Sequence, residues 1–574
     1  MRVADLIADF VAKNCSPHVY VLTGNGAMYL NDAIEQSKDL DYICVRNEAA
    51  APIAAASGAQ LTGKPGVVCV TAGPGSTNAL AGLAEVWVDS AQILIISGQV
   101  PSNEATNFGR SFQNLRTFGI AGIPITTYVE KLTKFATTLQ KPEHLRGALK
   151  EILVALKSGR KGPVWLDVPL DIQAAEVSPF SIEELTQEVE SEIQNVENSI
   201  LDQIDVNRIK DLLTKSKRPL LLLGRGINEI DNFIAFQDWI NNLGIPYALS
   251  KVAAHRFSMS NPLNLGVLGV RGRPWSQQIL NETDLIISLG CRLPSAIVGP
   301  NYEYIADTCK IVMVDIDQAE IDRHGTKVTL GVNKSLRSID CLIDGLGRAK
   351  SNADFEEWLH RCGHLKENSD TNYLKQDENP VFNIYWFVRN LEKFAKPNTI
   401  LTSDAGSNYY ACSQAVDFEN IRTEITSGTF AAMGLSLPLA IGAAVEARKT
   451  GAQVFCVTGD GSIELNIQEL QTVANYHLPI KVFIINNGGY ASMRTWQETF
   501  FDSRYIGSTD DTGAKPLNFA KIADAFNLPY VLLENDKYFV TKMEEIIEFN
   551  GPQIIEVMCD SNQKLLLPME IDLV

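Results

Sequence analysis

Apolar residues in this chain gather in short unbroken runs with longer amphipathic stretches between them. Residues 19–22, 42–45, 67–70, 93–97 and 164–168 form a first set. Runs of this kind, without polar alternation, read as parallel strands covered on both faces. The stretches between them have helical periodicity, which predicts the βαβ pattern of an open parallel sheet. A second set, 219–223, 285–289 and 311–315, repeats the pattern. A third set, including 454–457 and 480–485, repeats it again. Two polar stretches, 178–198 and 350–380, read as linkers, the first alternatively as a surface helix. The expected fold is α/β, with three doubly wound parallel-sheet domains over 1–177, 200–346 and 375–574.

Composition narrows the function classes. The chain has 574 residues, 45% hydrophobic and 21% charged, which suits a globular protein of several domains. A net charge of −18 argues against a nucleic-acid partner. No run of 18 apolar residues predicts a membrane span, and the amphipathic N-terminus lacks the apolar core of a signal peptide. Ten cysteines contain no C-x-x-C pair, as expected of core thiols in a reducing cytoplasm. The seven histidines show no metal-ligand spacing.

The candidate chemistry concentrates at 459–490. The apolar run 454–457 leads into Gly459-Asp460-Gly461-Ser462, and the run 480–485 leads into Asn486-Asn487-Gly488-Gly489-Tyr490. The glycines let backbone approach a ligand closely. A helix opening near Ser462 would aim free N–H groups at an anion, with Ile467, Leu470 and Val473 on its apolar face. Asp460, the Asn487 amide oxygen and a neighbouring carbonyl make an oxygen set suited to Mg²⁺ shared with phosphate oxygens. The spacing resembles the thiamine-diphosphate (ThDP) motif. On that resemblance Asp460, Asn487 and the Gly489 carbonyl hold the metal, and the metal holds the diphosphate.

ThDP chemistry needs a second feature. The C2 proton of the cofactor leaves only if a carboxyl group hydrogen-bonds the aminopyrimidine, and that carboxyl works best in an apolar site. Glu48 ends an apolar strand and precedes a small-residue helix. Further motifs follow in an order that resembles the acetohydroxyacid (acetolactate) synthase family over nearly the whole chain. They are Arg46-Asn47-Glu48-Ala49-Ala50, Gly63-Lys64-Pro65-Gly66, Thr71-Ala72-Gly73-Pro74-Gly75-Ser76-Thr77-Asn78, Ser97-Gly98-Gln99-Val100-Pro101 and Gly162-Pro163-Val164-Trp165-Leu166-Asp167-Val168-Pro169.

The resemblance makes the first block a pyrimidine-binding domain and the third a diphosphate-binding domain, with Glu48 the catalytic, cofactor-activating acid. It assigns cofactor contacts to Asn25, Gly75 and Asn78. It assigns more to the turn Ala405-Gly406-Ser407-Asn408, to Ala431 and to Gly459, Asp460, Gly461 and Ser462. The last group is Asn487, Gly489, Tyr490, Ala491 and Ser492. Met433, in Ser427-Gly428-Thr429-Phe430-Ala431-Ala432-Met433-Gly434, becomes the wedge that holds the cofactor bent for internal proton transfer. It also implies active sites shared between subunits of a homodimer or homotetramer.

The chain departs from the family where substrate is chosen. Asn47 replaces the usual His. The family's Phe-Gln-Glu turn matches Phe112-Gln113 by letters, but an ungapped alignment through Leu132-Thr133-Lys134 puts Ala121 at the glutamine. Trp496 falls at a pocket tryptophan, Arg494 can meet a substrate carboxylate or phosphate, and 503–515 reads as a mobile lid. The Tyr-x-Ser-x-Arg form is similar to ThDP enzymes found with sugar or polysaccharide biosynthesis. FAD stays open: Gly224-Arg225-Gly226, Arg292 and Asp315-Ile316-Asp317 match, whereas Cys291-Arg292-Leu293-Pro294-Ser295-Ala296-Ile297 differs from the family's charged loop. The expected activity is carboligation or decarboxylation of a 2-keto acid such as pyruvate, with an unidentified acceptor. A ThDP-dependent hydrolase of a cyclic diketone and a non-catalytic homologue are the alternatives.

Overall fold

A computed structural model describes residues 1–104, 116–196, 200–347 and 353–569. Among these residues, three six-stranded sheets, each wholly parallel, follow one another along the chain. Their inner strands are buried on both faces by flanking helices, which is why most of them read as continuous apolar runs.

The first sheet holds β1 (His18–Leu22), β2 (Asp41–Cys44), β3 (Gly66–Val70), β4 (Ile93–Gln99), β5 (Phe135–Thr138) and β6 (Val164–Pro169), in the order β2-β1-β3-β4-β6-β5. The second holds β7 (Pro219–Leu223), β8 (Tyr247–Leu249), β9 (Asn264–Val267), β10 (Leu285–Leu289), β11 (Lys310–Asp315) and β12 (Leu330–Asn333), in the order β12-β11-β10-β7-β8-β9. The third holds β13 (Ile400–Ser403), β14 (Thr423–Ile425), β15 (Val454–Gly459), β16 (Ile480–Asn486), β17 (Tyr530–Leu533) and β18 (Gln553–Met558), in the order β14-β13-β15-β16-β18-β17. The first and third sheets therefore share one topology. The middle sheet has the dinucleotide-fold order instead.

The first and third units pack together within the chain. Helix Ala50–Thr62, rich in alanine, lies against helix Ser436–Ala447. The approach is close: a Cβ on Gly442 would stand 2.1 Å from the Ala54 carbonyl oxygen. The Ser57 hydroxyl donates to the Leu439 carbonyl at 2.7 Å across the same seam. Small residues on both helices allow this approach.

Two expectations need correction. The stretch after Asp460 is no single amphipathic helix. An α-turn, Asp460–Ile463, gives way to a 3₁₀ segment, Glu464–Glu469, broken at Asn466 with φ −137°, and helix resumes over Leu470–Asn475. Leu465, which the helical pattern left on the polar face, is half-exposed at 51%. The polar stretch after residue 350 is not a linker throughout, because helix Ala353–Glu367 docks on the middle sheet through buried Trp358, whose Nε1 donates to the Pro219 carbonyl at 3.0 Å. Of the two readings for the first polar stretch, the helix holds: Ile182–Val196 buries Ile182, Leu185, Val189 and Ile193.

Candidate active site

The residues singled out in the third unit converge at the C-terminal ends of three neighbouring strands, β13, β15 and β16. In this strand order the boundary between β13 and β15 is the switch point, where flanking loops part and leave a crevice. β15 ends at Gly459, so Asp460 begins the turn, 2% exposed. Its carboxylate accepts the N–H groups of Gly461 at 2.8 Å, Asn487 at 3.2 Å and Gly489 at 2.8 Å. Burial pushes its pKa up to about 6, against the pull of those three N–H groups.

The rest of the set is fixed around it. Asn487 donates its amide N–H to the Ser407 hydroxyl at 3.0 Å, which joins the β16 turn to the β13 turn. Gly488 and Gly489 take φ 77° and 101°, a region where a side chain is strained. Gly461 is required by packing, since a Cβ there would stand 2.1 Å from the Tyr490 ring. Ser492 lies over Gly406, in the first turn of helix Ala491–Phe500. Ala431 sits at φ 49°, and the Gly434 N–H donates to the Ser462 hydroxyl at 2.8 Å, so the half-buried Met433 is held beside the Asp460 turn.

Sequence reasoning missed Asp404. This residue is fully buried at the end of β13. It accepts from Asn408 Nδ2, Thr458 Oγ1 and Ser462 Oγ, each at 2.8 Å. Burial pushes its carboxyl up to about 6, against those donors. Its signal was available, as a carboxylate directly before the Ala405-Gly406 turn, but two of its three partners, Thr458 and Ser462, lie far along the chain.

In the first unit Glu48 comes from the loop after β2, the neighbour of β1, and meets the helix that follows β3. The β1 turn meets the β3 turn, with Gly26 N–H donating to the Thr71 hydroxyl at 3.0 Å. Asn25 is exposed at that turn. Glu48 is 7% exposed and accepts from Asn78 Nδ2 at 3.1 Å. A Cβ on Gly75 would stand 3.4 Å from its Oε1. Ala121 packs its carbonyl against Gly73, whose φ is 62°. Phe112 and Gln113 lie outside the described residues. Trp496 stacks on Phe500 with ring centroids 5.7 Å apart.

Arg494 differs from expectation. It is 9% exposed. One terminal nitrogen donates to the carbonyls of Gly488 and Ser508, both at 2.9 Å, and the other to those of Asn487 and Ser561 at 2.7 and 2.9 Å. The guanidinium thus clamps the Asn487–Gly488 turn to the 508 loop and the C-terminal segment. Offering it to a substrate anion would break that clamp.

The sequence matches three family models in chain order. They are the thiamine pyrophosphate enzyme N-terminal TPP binding domain over 1–133, the central domain over 206–339 and the C-terminal TPP binding domain over 404–557. The chain belongs to the acetolactate synthase-like thiamine-diphosphate enzymes. The large subunit of acetolactate synthase isozyme 1 from Escherichia coli is 29% identical over 98% of this chain and 94% of its own length. The acetolactate synthase large subunit of Lactococcus lactis is 28% identical over 96% and 91%, and the chloroplastic acetolactate synthase 1 of Nicotiana tabacum 26% over 99% and 83%. Within this ThDP family, the two matched TPP-binding domains contain Glu48 and Asp460 respectively.

The family's middle domain has its own crevice. At the switch point between β7 and β10, Gly226 and Gly290 pack so closely that a Cβ on Gly290 would stand 2.5 Å from Gly226. A cavity of about 190 Å³ opens there, with Arg225, Arg292, Lys157 and Lys334 on its wall. These cations suit phosphate. Among the described residues, no helix is long and apolar enough to cross a membrane.

Proposed function

We propose that this chain is a ThDP- and Mg²⁺-dependent carboligase or decarboxylase of a 2-keto acid such as pyruvate, in the manner of a transferase or lyase. One observation carries the reading: Asp460, Asn487 and Gly489 share one hydrogen-bonded turn beside Ser407 at a sheet switch point. The donor set is one carboxylate, one amide and one carbonyl. No three His, Cys, Asp or Glu side chains gather into a metal site among the described residues, so phosphate and water oxygens would complete the coordination.

When bound, ThDP supplies an electron sink for the carbon–carbon bond beside the keto group. The chain's residues do the rest. Asp460, Asn487 and Gly489 would hold Mg²⁺, and Ser407 with the first turn of helix Ala491–Phe500 would receive the diphosphate. Met433 would keep the cofactor bent, and Glu48 would hold a proton at the aminopyrimidine nitrogen. Ala121 and Trp496 would each meet substrate and exclude water.

A second copy completes the site in this reading. Ile120 beside Ala121 is 93% exposed, and Phe430 and Leu465 beside the Asp460 turn are 55% and 51% exposed. Apolar side chains bared next to both half-sites support a homodimer in which Glu48 serves the partner's cofactor. The central crevice supports a phosphate-bearing group, FAD included, and a visible spectrum of the purified protein tests the flavin. A cytoplasmic setting and a role in sugar or polysaccharide biosynthesis belong to the same proposal.

Calorimetry with ThDP, with and without Mg²⁺, tests cofactor binding, and a 2-keto acid panel scored for CO₂ tests the reaction. Metal-dependent binding and CO₂ release from one acid are expected. Binding without CO₂ from any acid would favour the diketone hydrolase, and no binding would favour a non-catalytic homologue.

A further inference from the structure

Glu469 closes the broken run that opens at Asp460, and it is fully buried. Its Oε1 accepts the Arg46 N–H at 2.9 Å, and its Oε2 accepts the Thr472 hydroxyl at 2.7 Å. Nearby, the Tyr476 hydroxyl accepts the Cys44 N–H at 2.8 Å. Both N–H groups belong to the few residues before Glu48, at or beyond the end of β2. β2 is an edge strand whose pairing with β1 continues to the Val45 N–H on the Val21 carbonyl at 3.1 Å, so the alternate N–H groups of Cys44 and Arg46 face away from the sheet. The third unit's side chains thus anchor this turn of the first unit, within one chain.

A carboxylate suits the task. It accepts from backbone N–H in a charge-assisted bond, which is shorter and stronger than a neutral one. Burial pushes the Glu469 carboxyl up from its ordinary range, while Thr472 and the N–H groups of Arg46 and Asn47 hold it down. With Glu48 already sealed from water, a shift in the turn of a few tenths of an ångström would change where its carboxyl points.

We infer that Glu469 is a positioning residue for Glu48, fixing the Arg46-Asn47-Glu48 turn from the diphosphate-binding unit of the same chain. This rests on the reading of Glu48 as the cofactor-activating acid. Residues 460–469 then have two duties, a metal ligand at one end and the seat of an activating carboxyl at the other. The two ends of this run, Asp460 and Glu469, are both buried.

The test compares Glu469→Ala, Glu469→Gln, Tyr476→Phe and Glu48→Gln. The readouts are exchange of the ThDP C2 proton for deuterium in the Mg²⁺ holoenzyme, ThDP affinity, and amide exchange of the 44–50 segment without cofactor. Glu469→Ala should slow C2 exchange about tenfold or more, leave ThDP affinity within about threefold and speed amide exchange of the segment. Glu469→Gln keeps an acceptor oxygen at the same reach and should restore most of the rate. Tyr476→Phe loses only a hydroxyl, so it should fold normally and slow C2 exchange severalfold if Glu469→Ala does not fold. The inference is overturned if Tyr476→Phe and every folded Glu469 variant exchange at the natural rate, or if Glu469→Gln is as slow as Glu469→Ala. If Glu48→Gln alone abolishes exchange, only the positioning role has failed. If Glu48→Gln also leaves it unchanged, the activating role has failed first.

Discussion

The Ser462 hydroxyl donates to Asp404 Oδ2 at 2.8 Å, tying the Gly459-Asp460-Gly461 turn to the strand before Ala405-Gly406. Thr458 donates to the same oxygen and Asn408 to the other, both at 2.8 Å. Asp404→Ala would leave these buried donors without an acceptor. The expected cost is about 2–4 kcal/mol of stability. Weaker ThDP binding should accompany the fall in Tm, and calorimetry on the folded variant checks it.

Arg494→Gln removes a clamp of four N–H to carbonyl bonds, two of them to the turn bearing Asn487. The expected result is a fall of about 2–4 kcal/mol in stability and a rise of roughly tenfold in the Mg²⁺ concentration needed for half-maximal ThDP binding. Preference among 2-keto acids should not change, since the guanidinium faces backbone. A changed preference with unchanged Mg²⁺ dependence would return Arg494 to the substrate.

Gly461 and Tyr490 should behave as a pair. Gly461→Ala drives a methyl to within 2.1 Å of the Tyr490 ring, and overpacking of this kind costs about 1–3 kcal/mol. Tyr490→Leu on top of Gly461→Ala should recover much of that loss. Thermal melts of the two single variants and the double variant measure the coupling.

Glu85 sets a pH dependence. It lies 6% exposed in helix Pro74–Val88, near Asp89 and Ser427. Burial first, then the Asp89 charge, pushes its carboxyl from 4.5 up to about 7. The folded state therefore holds this proton more tightly than the unfolded chain. Below pH 4.5 both states are protonated and the residue costs nothing. Stability falls as pH rises from 4.5 to about 7, by on the order of 3 kcal/mol at ~1.4 kcal/mol per pH unit. Glu85→Gln should raise Tm at pH 8 and change it little at pH 4, which melts across that range will show.

Position in the sheet accounts for part of what was legible, though edge strand β2 was read at 42–45 and interior β8 and β18 were not. β3, β4, β7, β10, β15 and β16 lie inside their sheets, and burial on both faces makes them unbroken apolar runs. β5 and β17 lie at edges, mostly half-buried, and carry no such run. The broken run after Asp460 read as a regular helix because periodicity records side-chain polarity and not the backbone turn at Asn466.

The sequence by itself determined the parallel α/β units and the Gly-Asp-Gly and Asn-Asn turns, because contiguous residues set both burial and turn geometry. It also set the Glu48 motif, through the order of short segments along the chain. Only the tertiary structure decided what Arg494, Asp404 and Glu469 do. Arg494 read equally as a substrate contact or a surface ion pair, and in the fold the carbonyls of Asn487, Gly488, Ser508 and Ser561 surround it. Two of Asp404's donors, Thr458 and Ser462, come from 54 and 58 residues away, and Glu469 meets Arg46 across 423 residues. The physical reason is common to all three. A buried polar side chain is defined by the groups that satisfy it, and folding brings those groups together from positions that no local pattern connects.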